Sequence, residues 1–226
     1  MTDAVDPTLG TPRGRPGLLV LPGWDDDGKD QYDALAADLT PEAWQCRRAD
    51  LPDARWPAPR RDAVNREDNL QQVLADFDAL SSQAAPVAVL GFSYGGYMAA
   101  LLATLRPVRW LVLRSPALYP DADWLTPKAA LDKQVLEHYR HQHHTPANNR
   151  ALHSCAAFRG DALLIESEDD EVIPGPVIDI FAQALGGAHS LTRYTLRGAD
   201  HALSQQAWRS DYHARVVAWL TQQVSM

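Results

Sequence analysis

Ser93 stands between two glycines in Gly91-Phe92-Ser93-Tyr94-Gly95, and this spacing directs attention to serine chemistry. A serine hydroxyl is barely ionised at neutral pH, so a nucleophilic serine needs a base beside it and a backbone that exposes its oxygen. Glycines two residues either side remove Cβ atoms where a strand turns sharply into a helix, and the serine is left at the tip of the turn. At that point it also meets a helix N-terminus, whose unpaired N–H groups stabilise a negative oxygen.

A base and an orienting acid are expected later in the chain, each in a loop after a strand. His201 lies in Arg197-Gly198-Ala199-Asp200-His201, directly after the apolar run Leu191 to Leu196. Imidazole titrates near pH ~6.5, which suits it to take a proton from serine and return it to a leaving group. The acid is expected in the run Glu166-Ser167-Glu168-Asp169-Asp170-Glu171, after the strand candidate Ala162 to Ile165. On the residues alone several of these carboxylates compete, because an acidic run is ordinarily a solvated loop. A carboxylate in this role holds the imidazole tautomer and stabilises the imidazolium. His189 is the poorer base, since it precedes the last strand and falls at the opposite edge from Ser93.

Other chemistry-bearing residues have blander readings. His138, His141, His143 and His144 share helix faces but lack carboxylate or cysteine partners for a metal shell, so a polar lid helix is expected. Asp25, Asp26, Asp27 and Asp30 lack the spacing and terminal glutamate of a calcium loop, and helix capping with solvation accounts for them. Cys46 and Cys155 are far apart and form neither a disulfide framework nor a zinc pattern. Trp24, Tyr94, Tyr119, Trp124 and Leu125 are placed to line an acyl or aromatic pocket, a role that core packing of the tryptophans explains equally well. No cofactor and no metal are expected.

The elements that must position these residues read as alternating strands and helices. Gly17 to Leu21 is a short, continuously apolar run closed by Pro22-Gly23, the signature of a strand buried on both faces. Tyr32 to Leu39 reads as a helix, Cys46 to Leu51 as a weaker strand, and Pro52 to Pro59 as a loop. Leu70, Val73, Leu74, Phe77 and Leu80 mark an amphipathic helix over 69–80. Strands at 87–90 and 108–113 flank an apolar helix at 94–105, and strands at 162–165 and 191–196 follow. Helices are expected near 177–185 and 207–223. Six strands separated by helices predict an α/β fold, about six-stranded and mostly parallel, with helices on both faces. Residues 117–159 are long for a bare connection, so an inserted helical lid is expected there. Leu131, Val135, Leu136 and Tyr139 form its apolar stripe, and Ala151 to Phe158 a second short helix.

The chain has 226 residues, of which 46% are apolar, enough for one domain over 17–226 behind a flexible leader at 1–16. Its formal net charge of −8 opposes binding to nucleic acid. The N-terminal residues hold no apolar signal core, and the longest apolar stretch, Tyr97 to Leu105, is too short to span a bilayer, so a cytoplasmic location and no membrane partner are expected. Oligomeric state is not legible.

Ser93, an acid near 170 and His201, in that order, resemble the catalytic residues of the α/β-hydrolase superfamily, and the likeness runs from about Gly17 to the C-terminus. Gly91-Phe92-Ser93-Tyr94-Gly95-Gly96-Tyr97 is similar to the dienelactone hydrolase and prolyl-oligopeptidase branches. Their acid commonly lies four residues before a proline in an Asp-x-x-Val-Pro segment. Asp170-Glu171-Val172-Ile173-Pro174 matches with isoleucine for valine, so the resemblance selects Asp170 over Asp169. It also implies an oxyanion hole from the N–H groups of Tyr94 and Trp24, although Pro22-Gly23-Trp24 stands where many relatives have His-Gly. Dienelactone hydrolases use a cysteine nucleophile, so their substrate is not carried over, and no segment here is of a length to form the prolyl-oligopeptidase propeller. The resemblance implies hydrolysis of a small or medium carboxylic ester through an acyl-enzyme. Peptidase or thioesterase activity is the alternative within hydrolysis, and ligand binding without catalysis the alternative outside it.

Overall fold

The computed structural model describes residues 14–24, 29–52 and 56–225. The first thirteen residues of the expected leader, and Asp25, Asp26 and Asp27, lie outside the described residues.

In chain order the elements are β1 (Gly17–Leu21), α1 (Lys29–Leu39), β2 (Gln45–Arg48), α2 (Ala58–Ala63), α3 (Arg66–Ser81), β3 (Val87–Phe92), α4 (Tyr94–Leu105) and β4 (Val108–Arg114). They continue with α5 (Lys133–Arg140), α6 (Arg150–Ala157), β5 (Asp161–Ser167), α7 (Gly175–Ala184), β6 (Ser190–Leu196) and α8 (Gln206–Ser225). The strands form one sheet in the order β2-β1-β3-β4-β5-β6, and every neighbouring pair is parallel.

Alternation along the strands divides the core. Leu19, Leu21, Val89, Leu111, Leu113 and Leu164 join side chains of α3, α4, α6 and α7 on one face. Leu18, Val20, Leu90, Val112, Leu163 and Ile165 join those of α1 and α8 on the other. Because both faces are covered, the central strands lack polar residues away from their ends, which is why their middles read as continuous apolar runs. The edge strands differ. β2 is polar and stops at Arg48, shorter than the expected 46–51, because it pairs only with β1. On the other edge β6 keeps Arg193 between Glu166 and Asp179, and charges of this kind discourage pairing with a second sheet.

Local chemistry explains two further departures. Within the predicted loop at 52–59 the chain enters α2, where Pro57 and Pro59 suit a first helical turn whose N–H groups are unpaired anyway. α3 begins at Arg66, earlier than the periodicity predicts, because Asn65 and Asp68 form a reciprocal capping box. In the segment after β4, α6 packs on α4 and serves as the crossover that a parallel β4–β5 pair requires. α5 overhangs the carboxyl ends of the strands. Its expected stripe is only partly inward: Leu131, Leu136 and Tyr139 pack on the core, whereas Val135 is 60% exposed.

At the opposite end of the sheet, buried Asp161 accepts from His189 Nδ1 at 2.6 Å and Ser190 Oγ at 2.8 Å, and pairs with Arg109 at 2.7 Å. This cluster ties the starts of β4, β5 and β6 together, and it gives His189 a structural partner far from Ser93. No helix among the described residues is long and apolar enough to cross a membrane.

Candidate active site

Strand order reverses between β1 and β3, because β2 lies to one side of β1 and the later strands to the other. Open parallel sheets place their ligand crevice at this switch, outside the strand carboxyl ends. Trp24 follows β1 there and Ser93 follows β3.

Ser93 adopts φ 49° and ψ −112° as the N-cap of α4, a left-handed conformation rarely taken by residues with a side chain. The flanking glycines make the turn feasible. A Cβ on Gly91 would lie 2.6 Å from the Gly95 carbonyl carbon and 2.7 Å from Gly96 Cα, and one on Gly95 would lie 2.5 Å from the Pro22 oxygen. The elbow is held by Ser93 N–H donating to the Arg114 carbonyl at 3.0 Å, and by the Ser93 carbonyl accepting from Tyr97 and Ala117.

The acidic run after β5 separates into distinct tasks. Glu168 accepts from Arg197 Nη1 at 2.5 Å and from Gly198 N–H at 2.8 Å, and it is exposed. Glu171 accepts from the His201 N–H at 3.2 Å. Asp170 meets His201 Nδ1 with both oxygens, at 2.9 and 2.8 Å, while its Oδ1 also accepts the N–H groups of Val172 and Ile173 at 3.0 and 2.7 Å. Burial alone would raise the Asp170 carboxyl. The hydrogen bond and charge of His201, the Ile173 N–H and the nearby Ser115 hydroxyl outweigh it and hold the acid below its ordinary value. With Nδ1 donating to Asp170, the hydrogen-bond network assigns the basic lone pair of His201 to Nε2.

Ser93, Asp170 and His201 line one cavity of about 760 Å³, together with Trp24, Tyr119 and residues of α5 including Leu136, Glu137 and Arg140. No hydrogen bond joins the Ser93 hydroxyl to His201 in this arrangement. The Tyr94 ring is fully buried behind the cavity, its hydroxyl accepting from Asn69 Nδ2 at 2.6 Å. Trp24 packs edge-on against it with ring centroids 5.3 Å apart, and Tyr119 does the same at 5.7 Å.

Besides Tyr94, two more expected pocket residues are elsewhere. Trp124 sends its indole N–H to Glu67 at 2.5 Å and stacks beneath Arg150, so it fastens the 119–124 segment to α3 and does not line the cavity. Leu125 points outward, 68% exposed. Of the five expected, Trp24 and Tyr119 line the cavity. The histidines of 138–144 also separate: His141 Nδ1 bonds the Glu137 carbonyl and His144 Nε2 the Tyr139 carbonyl, and no group of potential metal ligands occurs among the described residues. Composition offered no signal for Phe92 and Arg114, which pack against His201 through strand register.

Comparison with known proteins agrees with this architecture. The model of the prolyl oligopeptidase family matches residues 67–226. Among solved structures, a metagenome-derived lipolytic enzyme of the LipS and LipT pair superposes with a TM-score of 0.71 at 16% identity, over 92% of this chain and 94% of that one. Est1E from Butyrivibrio proteoclasticus gives 0.69 at 13% identity, over 96% and 92% of the two chains. A putative hydrolase of the alpha/beta superfamily from Xanthomonas campestris pv. campestris gives 0.62 at 22% identity, over 93% and 99%. At these identities the likeness is one of fold. A search of curated proteins finds no match.

Proposed function

The chain belongs to the prolyl oligopeptidase family of α/β-hydrolase enzymes, and from that premise we propose that it is a serine carboxylesterase acting through Ser93, His201 and Asp170. The observation that carries the reading is the elbow at Ser93, in its strained conformation, opening into the same cavity as the Asp170–His201 pair.

In this mechanism Ser93 Oγ attacks the ester carbonyl carbon and His201 Nε2 takes its proton. The carbonyl oxygen becomes an oxyanion facing the N–H groups of Tyr94 and Trp24. Tyr94 begins α4, so its N–H has no partner within the helix. Collapse breaks the bond to the alcohol, which leaves with the proton from His201, and water repeats the cycle on the acyl-enzyme. Asp170 stays ionised and holds Nδ1–H throughout, which fits a carboxyl kept below its ordinary value. Hydrogen bonds between nucleophile and base are commonly long before substrate binds, so the Ser93–His201 contact is formed with substrate in place.

The test is hydrolysis of short-chain nitrophenyl esters, acyl thioesters and peptide nitroanilides by wild type and Ser93→Ala, with fluorophosphonate labelling of both. The expected result is ester hydrolysis and labelling in wild type alone. Undiminished ester hydrolysis by Ser93→Ala overturns the mechanism, and a folded wild type that is neither labelled nor active points to ligand binding. The peptide arm answers the oligopeptidase character of the family.

A further inference from the structure

We propose that Arg114 is a positioning residue that fixes the angle at which His201 meets Ser93, an inference that rests on the roles given to those two residues above. Arg114 ends β4, in register with Phe92 on β3 and Ile165 on β5. Its main-chain carbonyl accepts the Ser93 N–H at 3.0 Å. Its side chain, in a residue only 3% exposed, crosses the strand ends toward the histidine loop. There Nη2 donates to the main-chain carbonyl of His201 and reaches Ser167 Oγ at 3.5 Å. The guanidinium carbon also lies 4.0 Å from the centroid of the Phe92 ring. That ring stands 5.0 Å from the imidazole of His201, tilted by 37°.

His201 is therefore held at its N–H by Glu171, at its carbonyl by Arg114 and at its ring by Asp170 and Phe92. The anchors differ in what they refer to. Glu171 and Asp170 both belong to the loop after β5, so they fix the imidazole relative to that loop. Arg114 holds the nucleophile through its backbone and the base through its side chain, so one rigid strand residue sets both. An aliphatic side chain would fill this space. Only a guanidinium combines a donor for the His201 carbonyl with a flat cation that stacks on an aromatic ring.

Placement of reacting groups is steeply coupled to rate, and a displacement of about 1 Å costs about 100-fold. The experiment compares Arg114→Met, Arg114→Lys and wild type on a nitrophenyl ester, with far-ultraviolet circular dichroism to confirm folding. It also follows the far-downfield proton resonance of the hydrogen bond from His201 Nδ1 to Asp170. Arg114→Met is expected to lower kcat about 100-fold with KM within about twofold, and to broaden or shift the resonance. Arg114→Lys, which keeps a donor for the carbonyl but loses the flat cation on Phe92, is expected to recover part of kcat, about tenfold over the methionine variant. A kcat for Arg114→Met near wild type, or a lysine variant as impaired as the methionine variant, overturns the proposal. Should Arg114→Met not fold, Phe92→Leu removes the intervening ring while keeping the charge. The expected signature is the same loss confined to kcat, and an unchanged kcat overturns the proposal. The resonance is read without turnover, so an inactive wild type would count against the esterase reading while the resonance still tests Arg114.

Discussion

Replacing Asp170 with asparagine isolates the charge of the acid, because the two side chains are nearly equal in volume. Its contact with His201 Nδ1 is 2.8 Å, and the two side chains are only 5% and 12% exposed, so solvent screens the pair weakly. The charge centres of such a pair lie roughly 4 Å apart, where an ion pair in a protein-like medium is worth about 4 kcal/mol. At about 1.4 kcal/mol per factor of ten, losing that stabilisation of the imidazolium lowers kcat about a thousandfold. The amide adds a second fault, since its NH2 turned toward Nδ1 favours the tautomer protonated at Nε2, and the total loss approaches about ten-thousandfold. The assay is kcat and KM on a nitrophenyl ester near neutral pH, with Glu168→Gln, Asp169→Asn and Glu171→Gln in parallel. The first two are expected within about threefold of wild type, since neither carboxylate touches His201. Glu171→Gln is expected to lose about tenfold, because its carboxylate holds only the His201 N–H. An Asp170→Asn variant within tenfold of wild type, or a larger loss at a neighbour, would refute the assignment of the acid.

Gly95→Ala places a Cβ 2.5 Å from the Pro22 oxygen, so β1 and the elbow must part; a loss of about 3 kcal/mol, read as a thermal midpoint about 10 °C lower, should accompany loss of ester hydrolysis. The Asp170 carboxyl is held below its ordinary 3.8, so its stabilisation is complete above that pH and fades as pH falls through the folded value. Urea midpoints of wild type and Asp170→Asn should therefore converge in acid, and a gap constant with pH would contradict the linkage. Burial pushes the thiols of Cys155 and Cys46 up to about 12 and about 11, so iodoacetamide near neutral pH should neither modify nor inhibit the folded enzyme; rapid native labelling with inhibition would count against a serine nucleophile. Leu136→Trp fills part of the cavity wall, and kcat/KM for octanoyl esters should fall about tenfold more than for acetyl esters, an equal fall for both being the contrary result.

The parts of this molecule that were legible in its sequence are those encoded by local pattern. Buried parallel strands announce themselves as apolar runs, and the Gly91-x-Ser93-x-Gly95 turn demands glycines wherever it occurs. What separates Glu168, Asp169, Asp170 and Glu171 is which donor each one meets, and four adjacent carboxylates carry no trace of that in their order; the family-type proline spacing selects Asp170, and in the structure Asp170 is the carboxylate that meets His201 Nδ1. Residue type leaves Trp124 and Leu125 undirected, because an indole or an isobutyl group suits a cavity and a packed or open surface alike. The direction of Trp124 depends on Glu67 and Arg150, far away in the chain. Arg114 and Phe92 meet because β3 and β4 align in one register, a relation between residues twenty-two apart that no periodicity records.

The wall opposite Ser93 is supplied by α5, in a segment that contributes no strand to the sheet. The groups at the strand ends are bound into the architecture, since the glycine turn, the switch point and the Asp170 loop are each fixed by neighbours in the sheet. Within the row Lys133, Leu136, Glu137, Arg140 and His141, Arg140 alone is tied to the strand ends, through the carbonyls of Leu118 and Val172, and the other four have no such obligation. Mutation and selection can thus redraw what the chamber admits while inheriting the reaction unchanged. In an engineered descendant, the helix over the cavity is the interchangeable part and the strand ends are the fixed one.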